Sequence, residues 1–300
     1  MRRRDVLALG GVAVAAGSVG VKAQQAVRVI GFLHANAQQA ASRFFDAFKS
    51  GLQSSGYVEG RNVRFEERYA EGRPDRLPAL AQDLVSRKVA LIATGGAEFP
   101  ALAAQTATLG TDIPVVFVIG GDPVKLKLVA SLARPTGNIT GIAMFTSALE
   151  SKRFGLLHEI VPTAKTIAAM VDQSRAVFQV QLAELNDAAA QAGVLLVVVN
   201  TTKPSEYDAA FARASTEGAT ALQICANPTF LAMRHQLVAL ASRHRIPTMY
   251  EWRDFVEVGG LMSYGTDLRS AYRNSGIYAG KVLSGIKPSD LPIMQASKFE

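Results

Sequence analysis

Val27-Arg28-Val29-Ile30-Gly31-Phe32-Leu33 is a short, mostly apolar run, and Phe44, Phe45, Phe48 and Leu52 then recur at helical spacing within Ser42–Leu52. The pair reads as a strand buried on both faces followed by an amphipathic helix that supplies one of its covers. Gly56 ends the helix, and Val63–Tyr69 alternates as the next strand. Leu77, Leu80, Ala81, Leu84 and Val85 share a face of a helix at Arg76–Arg87. Strands at Val89–Ala93 and Pro114–Ile119 flank a helix around Pro100–Thr108. The second half repeats this, with strands at Thr166–Val171, Val194–Asn200, Ala221–Ala226 and Pro247–Tyr250. Helices fall between them at Leu149–Ile160, Gln179–Ala192, Ser205–Thr216 and Phe230–Arg243. Such alternation predicts an α/β chain of doubly wound parallel sheets.

The punctuation of the two halves also matches. A helix ends at Gly56 in one and at Gly193 in the other, and Gly72-Arg73-Pro74 and Lys203-Pro204-Ser205 open the next helices. Asp112-Ile113-Pro114 and Arg245-Ile246-Pro247 lead into comparable strands. Two similar lobes are expected, one over residues 27–143 and the other over 144–262. Leu261–Tyr264 reads as a short strand. A helix at Asp267–Leu283 is expected to pack back on the first lobe, taking 267–285 with it. The extended tail 288–300 is assigned to the second. The chain would then cross between lobes several times. Several crossings make a hinge, and two sheet edges facing across it make a cleft for one small molecule.

The N-terminus carries a different message. Arg2-Arg3-Arg4-Asp5 precedes an apolar run from Val6 to Val21, and Val21-Lys22-Ala23 supplies small residues ahead of a cleavage site. Residues 1–23 read as a secretory signal peptide, with Arg3-Arg4 also compatible with twin-arginine export. The apolar run is short and glycine-rich for a membrane span. A mature, periplasmic chain beginning near Gln24 is expected. Without Arg2, Arg3, Arg4, Lys22 and Asp5, the 32 basic and 25 acidic residues fall to 28 and 24, a net charge of +4. These charges are scattered, with no basic stripe, so nucleic acid is not an expected partner. Cys225 is the one cysteine, which excludes an internal disulfide, and its apolar run suggests a buried, inert thiol. The 277 residues after Ala23, drawn from a chain that is 49% hydrophobic, can build the core of two domains without disulfides.

Chemistry is expected in the loops at the strand carboxyl ends. These hold His34 and Asn36, Thr94-Gly95-Gly96, Gly121-Asp122, Asp172, Asn227, and Tyr250-Glu251. Glycines ahead of a helix expose backbone N–H groups, so Thr94-Gly95-Gly96 suits a carboxylate or is a plain tight turn. Asp122 stands before Pro123 and a helix running to Ala133, where an N-cap is the commonest role. Asp172 and Glu251 either meet a ligand ammonium or are idle loop acids. Phe117, Phe145, Tyr250, Trp252 and Tyr264 lie near the cleft as core residues or as walls for a ligand ring. His34 is the one histidine at a strand end. No histidine pair has metal-ligand spacing, and no phosphate loop or nucleophile elbow is present. No catalytic residue, metal or cofactor is therefore expected. An exported α/β enzyme acting on a small acid in the same cleft is the rival reading, and a regulator's sensor lobes would lack their DNA-binding module.

Several motifs in chain order resemble one family. They include Val29-Ile30-Gly31-Phe32-Leu33-His34, Gly56-Tyr57-Val58-Glu59-Gly60-Arg61-Asn62-Val63 and Gly120-Gly121-Asp122-Pro123-Val124. Arg134-Pro135-Thr136-Gly137-Asn138-Ile139-Thr140-Gly141, Gly259-Gly260-Leu261-Met262-Ser263-Tyr264-Gly265 and Lys287-Pro288-Ser289-Asp290-Leu291-Pro292 extend the match. The chain resembles the bacterial ABC-transporter substrate-binding proteins often assigned to tryptophan or tyrosine uptake, with the type I periplasmic-binding-protein fold. The resemblance implies an exported, monomeric receptor that delivers a small solute to an inner-membrane ABC permease. It also implies an aromatic or branched amino acid, or a related acid, as ligand. On that reading Thr94, Gly95 and Gly96 hold the carboxylate, Asp172 or Glu251 the ammonium, and Phe117, Phe145 or Tyr250 the ring. His34, Asn36, Gly121, Asp122 and Asn227 complete the expected contacts. The chain departs from the family at Asp172-Gln173-Ser174-Arg175, where relatives carry an Asn/Pro-rich loop. Relatives also continue past Lys298-Phe299-Glu300 with another strand and helix.

Overall fold

The computed structural model describes residues 27–175 and 177–300, so the signal-peptide reading of residues 1–23 lies outside the described residues. The first lobe is built from β1 (Arg28–His34), α1 (Gln38–Ser54), β2 (Val63–Tyr69), α2 (Leu77–Ser86), β3 (Leu91–Gly95), α3 (Glu98–Ala107), β4 (Val115–Ile119) and β5 (Ile139–Ala143). The second runs α4 (Glu150–Ile160), β6 (Thr166–Val171), α5 (Phe178–Ala192), β7 (Leu195–Asn200), α6 (Tyr207–Thr216) and β8 (Ala221–Ile224). It continues with α7 (Pro228–Ala232), α8 (Arg234–Arg243), β9 (Thr248–Tyr250), α9 (Arg253–Val256) and β10 (Met262–Ser263). The chain then returns to the first lobe as α10 (Leu268–Leu283) and β11 (Met294–Gln295).

Both sheets are parallel, in the orders β11-β5-β4-β3-β1-β2 and β10-β9-β8-β6-β7. In each lobe the strand order reverses direction beside its first strand, between β1 and β3 and between β6 and β8. Such reversals leave a crevice at the carboxyl ends, because the helices on the two sides of the reversal run to opposite faces. The strands are apolar on both faces because both are covered. Ile30 and Phe32 face α1 and α10, while Leu33, Ile92 and Phe117 face α2 and α3. In the second lobe Ile167, Ala169 and Val171 pack on α4 and α5, and Ala168, Met170 and Ile224 on the opposite helices.

α10 lies against α1 at a distance that only glycine permits. A Cβ on Gly51 would strike the Arg273 carbonyl, and one on Gly276 would strike the Phe48 carbonyl. This close crossing lets Phe44 of α1 stack on Tyr272 of α10, with ring centroids 4.8 Å apart.

Two expectations need correction. The tail, assigned by sequence to the second lobe, extends the first sheet: Met294 and Gln295 pair with Ile142 and Ala143. Ile293 donates to the Leu132 carbonyl at 2.7 Å, and Thr140 Oγ1 to the Leu291 carbonyl at 2.8 Å. The free edge of β5 satisfies the tail's backbone groups while Leu291 and Ile293 are buried. The helix expected from Asp122 to Ala133 is instead a chain of turns. Lys127 takes a left-handed φ of 58° there, which stops helix propagation one turn after Pro123.

The glycine contact sets up a paired test by urea unfolding. Gly276→Ala is expected to destabilise by about 1–3 kcal/mol through overpacking. Gly155→Ala in α4, where no atom lies within 4 Å of the new Cβ, is expected to be neutral or stabilising by about 0.5–1 kcal/mol. Equal effects would refute the close-crossing account.

Candidate functional site

The strand ends of the two lobes meet around an inner chamber at both sheet reversals. The first lobe contributes His34, Gly96, Ala97, Glu98 and Gly120, with Phe44 and Tyr272 from the helix pair beneath. The second contributes Arg175, Ala226, Pro228, Leu231 and Trp252, and Met144 and Thr146 come from the crossing after β5. The chamber has a cavity volume of about 40 Å³. That is room for about three waters, well short of the ~150 Å³ that accepts a benzene ring. A wider bay of about 620 Å³ opens outward from it, sharing Asn36, Gly96, Ala97, Arg175 and Pro228 with the chamber wall.

Contacts among the described residues hold the lobes together over this space. Asn36 Nδ2 donates to the Pro228 carbonyl at 3.3 Å, Arg175 pairs with Glu98 at 2.7 Å, and Arg43 pairs with Asp254. The chamber is narrow because these contacts draw the lobes in.

The histidine on the wall is fixed in one tautomer. Asn36 N–H donates to His34 Nδ1 at 3.1 Å, so the ring hydrogen sits on Nε2 and faces Tyr272 Oη at 3.1 Å. Complete burial pushes the His34 pKa down to about 3, and the ring is neutral at physiological pH. Gly96, at φ 86°, passes so close that a Cβ would meet the His34 ring. Burial also raises the Tyr272 hydroxyl pKa, which keeps the phenol protonated.

The thirteen residues expected at the site divide accordingly. His34, Asn36 and Gly96 stand on the chamber wall, and Asp172 on the outer bay. Gly95 is covered by the Tyr272 ring, and Thr94, 2% exposed, is enclosed beside it. Phe117 points into the core under α2 and α3, Phe145 packs on that same core, and Tyr250 stacks on Phe255 at 4.5 Å. Gly121 lies behind Leu126 and Val177, and Asp122 caps the turn beyond it through Val124 N–H at 2.8 Å. Asn227 caps α7 through Thr229 N–H at 2.8 Å and donates to Asp172 at 3.3 Å. Tyr264 stacks on Phe299. Tyr250 is the last residue of β9 and packs into the core, while Trp252 lies past the strand, just before α9, where the chain turns and its ring reaches the chamber.

Glu251 is displaced for an electrostatic reason. It is 1% exposed, lies 3.7 Å from Arg153, and its carboxyl is pushed well up by burial. It belongs to a buried cluster behind Thr146, in which Arg153 pairs with Glu150 at 2.8 Å. Sequence reasoning missed Phe44, Glu98, Arg175 and Tyr272 as site residues. Glu98 carried a legible signal, an acid in the first helical turn just after the paired glycines. Tyr272 carried none, since it reaches the site only through the return of α10. Among the described residues no group of three His, Cys, Asp or Glu side chains could hold a metal. No described helix is long and apolar enough to cross a membrane.

Two parallel α/β lobes, crossed several times and closing on one chamber, define a type I periplasmic-binding-protein architecture. A family model for ABC transporter substrate binding proteins matches residues 26–300, and the chain belongs to that family. A tyrosine-binding protein of Clostridioides difficile strain R20291 is 26% identical over 257 residues, 84% of this chain and 72% of that protein. A conserved domain protein from Vibrio cholerae superposes with a TM-score of 0.81 at 24% identity, covering 91% of this chain and 90% of that one. An ABC domain in complex with L-Trp from Streptococcus pneumonia gives 0.78 at 24% identity, covering 90% of each. The chain is a solute receptor of the ABC-transporter class.

Two outcomes follow from this geometry. Trp252, the one tryptophan and 5% exposed, should change its fluorescence when a non-fluorescent solute fills the chamber, and Trp252→Phe should abolish that signal. Because His34 titrates lower in the fold than in the unfolded chain, stability should fall as pH drops from ~6.5 towards ~3. His34→Gln should show a smaller loss over that window in thermal melts, and an unchanged loss would place the effect elsewhere.

Proposed function

We propose that this chain is the extracytoplasmic receptor of an ABC importer and that its solute is an aromatic amino acid or a related aromatic acid. The observation that carries the reading is the chamber itself. Phe44, Tyr272 and Trp252 supply flat apolar walls, and a few polar groups interrupt them at fixed points. That combination suits a ring with a charged end. The tyrosine-binding relative and the neighbour holding L-Trp support the same class.

The chain acts by capture and release, without turnover. Residues 1–23 direct export and are removed near Ala23, and the mature chain works as a monomer that presents its closed form to an inner-membrane permease. Of the residues expected at the site, His34, Asn36 and Gly96 make the direct contacts, and Asp172 guards the outer bay. The ring lies against Phe44, Tyr272 and Trp252 instead of Phe117, Phe145 or Tyr250.

The test is native purification with mass spectrometry of the retained solute, followed by titration of that solute. It should be recovered chemically unchanged and be aromatic, and the melting temperature should climb with its concentration. The expected gain is about 2.7 kcal/mol at a hundredfold excess over Kd. A solute converted by substoichiometric protein would establish the enzyme reading instead. A retained sugar would exclude the aromatic one.

A further inference from the structure

Among the described residues that line the inner chamber, Glu98 and Arg175 are the charged ones, and each comes from a different lobe. Glu98 opens α3, and Arg175 stands in the loop after β6. Arg175 Nη2 donates to Glu98 Oε2 at 2.7 Å, with the side chains 9% and 4% exposed. Around them the wall is apolar or uncharged, with His34 neutral and Asn36 and Thr146 as the nearby polar side chains.

The pair is not saturated. Arg175 Nε is buried with no hydrogen-bond partner among the described residues. Glu98 Oε1 accepts no hydrogen bond from them either, and lies 3.7 Å from where a Cβ on Gly120 would stand. A buried guanidinium with a spare donor faces a buried carboxylate with a spare acceptor. Leaving the buried Arg175 Nε unpaired is costly, so it is a prepared contact for an incoming carboxylate, and Glu98 Oε1 keeps an acceptor open beside it.

We infer that Glu98 and Arg175 set the charge specificity of the chamber, Arg175 taking a ligand carboxylate and Glu98 a ligand ammonium, so that the preferred solute is a zwitterion. This rests on the aromatic-solute reading above. In the empty chamber the two side chains neutralise one another. A zwitterion exchanges that single ion pair for two and adds no net charge to a buried site. A monoanion sets a second negative charge beside Glu98, and a monocation a second positive charge beside Arg175. Neither charge is compensated, and buried uncompensated charge is expensive.

Three ligands of one skeleton separate these cases: L-tyrosine, phloretic acid (which lacks the amine) and tyramine (which lacks the carboxylate). Each is titrated calorimetrically into the full chain, with thermal melts of every ligand-free variant confirming folding. Wild-type protein should prefer L-tyrosine to both analogues. Arg175→Gln should weaken L-tyrosine by about ten- to a hundredfold and close its gap over tyramine. Glu98→Gln should weaken L-tyrosine by a similar factor while tightening phloretic acid. If either glutamine variant does not fold, Arg175→Lys and Glu98→Asp, which keep the charges, should retain the preference for L-tyrosine, and its loss would overturn the inference. Variants that shift all three ligands by one common factor would show a mere lobe latch and overturn it too. So would wild-type protein that binds an analogue as tightly as L-tyrosine. Wild-type protein that ignores all three ligands would instead overturn the aromatic reading, and this inference with it.

Discussion

Arg153 sits, wholly buried, where the two lobes are joined. Its Nε donates to the Tyr264 carbonyl at 2.7 Å and its Nη2 to the Thr146 carbonyl at 3.0 Å, so one guanidinium grips two separate crossings. Glu150 holds it at 2.8 Å, and Glu150 itself accepts from Gln181, Gln223 and the Ala226 N–H. Removing one partner from such a buried pair costs roughly 3–5 kcal/mol, because the charge left behind has no water to turn to. The end of the tail is bound to the second crossing through Gly265–Glu300 and Asp267–Lys298 backbone bonds. The floor of the chamber, at Thr146 and Trp252, thus stands on a fixed polar frame.

The polarity of the site follows from how parallel sheets end. Every strand of both lobes points its carboxyl end at the cleft, and every following helix points its amino end there. The first turn of a helix carries partial positive charge, and Glu98 lies in that turn of α3. That turn stabilises a carboxylate with no basic neighbour from its own lobe, and the opposing lobe then supplies Arg175. The cross-cleft ion pair is therefore a product of lobe closure and not of either lobe alone. The same holds for Asn36 with Pro228 and for Arg43 with Asp254.

The sheets and their covers were legible in the sequence because burial on both faces leaves an unambiguous mark. Val27–Leu33, Pro114–Ile119 and Thr166–Val171 are mostly apolar, and the first and last of them are followed by helices with one apolar face. What was not legible is whatever a distant part of the chain decides. Leu291 and Ile293 look the same whether they cover the second lobe or dock on β5, and only the free edge of the first sheet chooses. Lys127 gives no hint that it will turn left-handed. The site shows the same division. Strand ends were found correctly as loops facing the cleft, which brought in His34, Asn36, Gly96 and Asp172. The direction of individual side chains was not, because the chain leaves β9 after Tyr250 and the turn into α9 sends Tyr250, Glu251 and Trp252 to core, buried ion cluster and chamber wall. Phe44 and Tyr272 come from two helices far apart in sequence, and the glycines that bring them together read locally only as weak helix formers.

Closure without a solute leaves a chamber that admits only a few waters, and this shapes how affinity arises. The contacts between the lobes already satisfy much of what a ligand would satisfy, so the chain binds by exchange. On the reading proposed above, a solute would replace Glu98–Arg175 and push Phe44, Tyr272 and Trp252 apart before its own contacts count. An undersized apolar solute gains little from this, since it leaves both charges to find each other again. On the same reading, a solute bearing two opposite charges and a ring would replace the Glu98–Arg175 pair that it breaks. Selectivity in this fold then resides less in the strength of any one hydrogen bond than in which solutes can substitute completely for the closed lobes' own bonds.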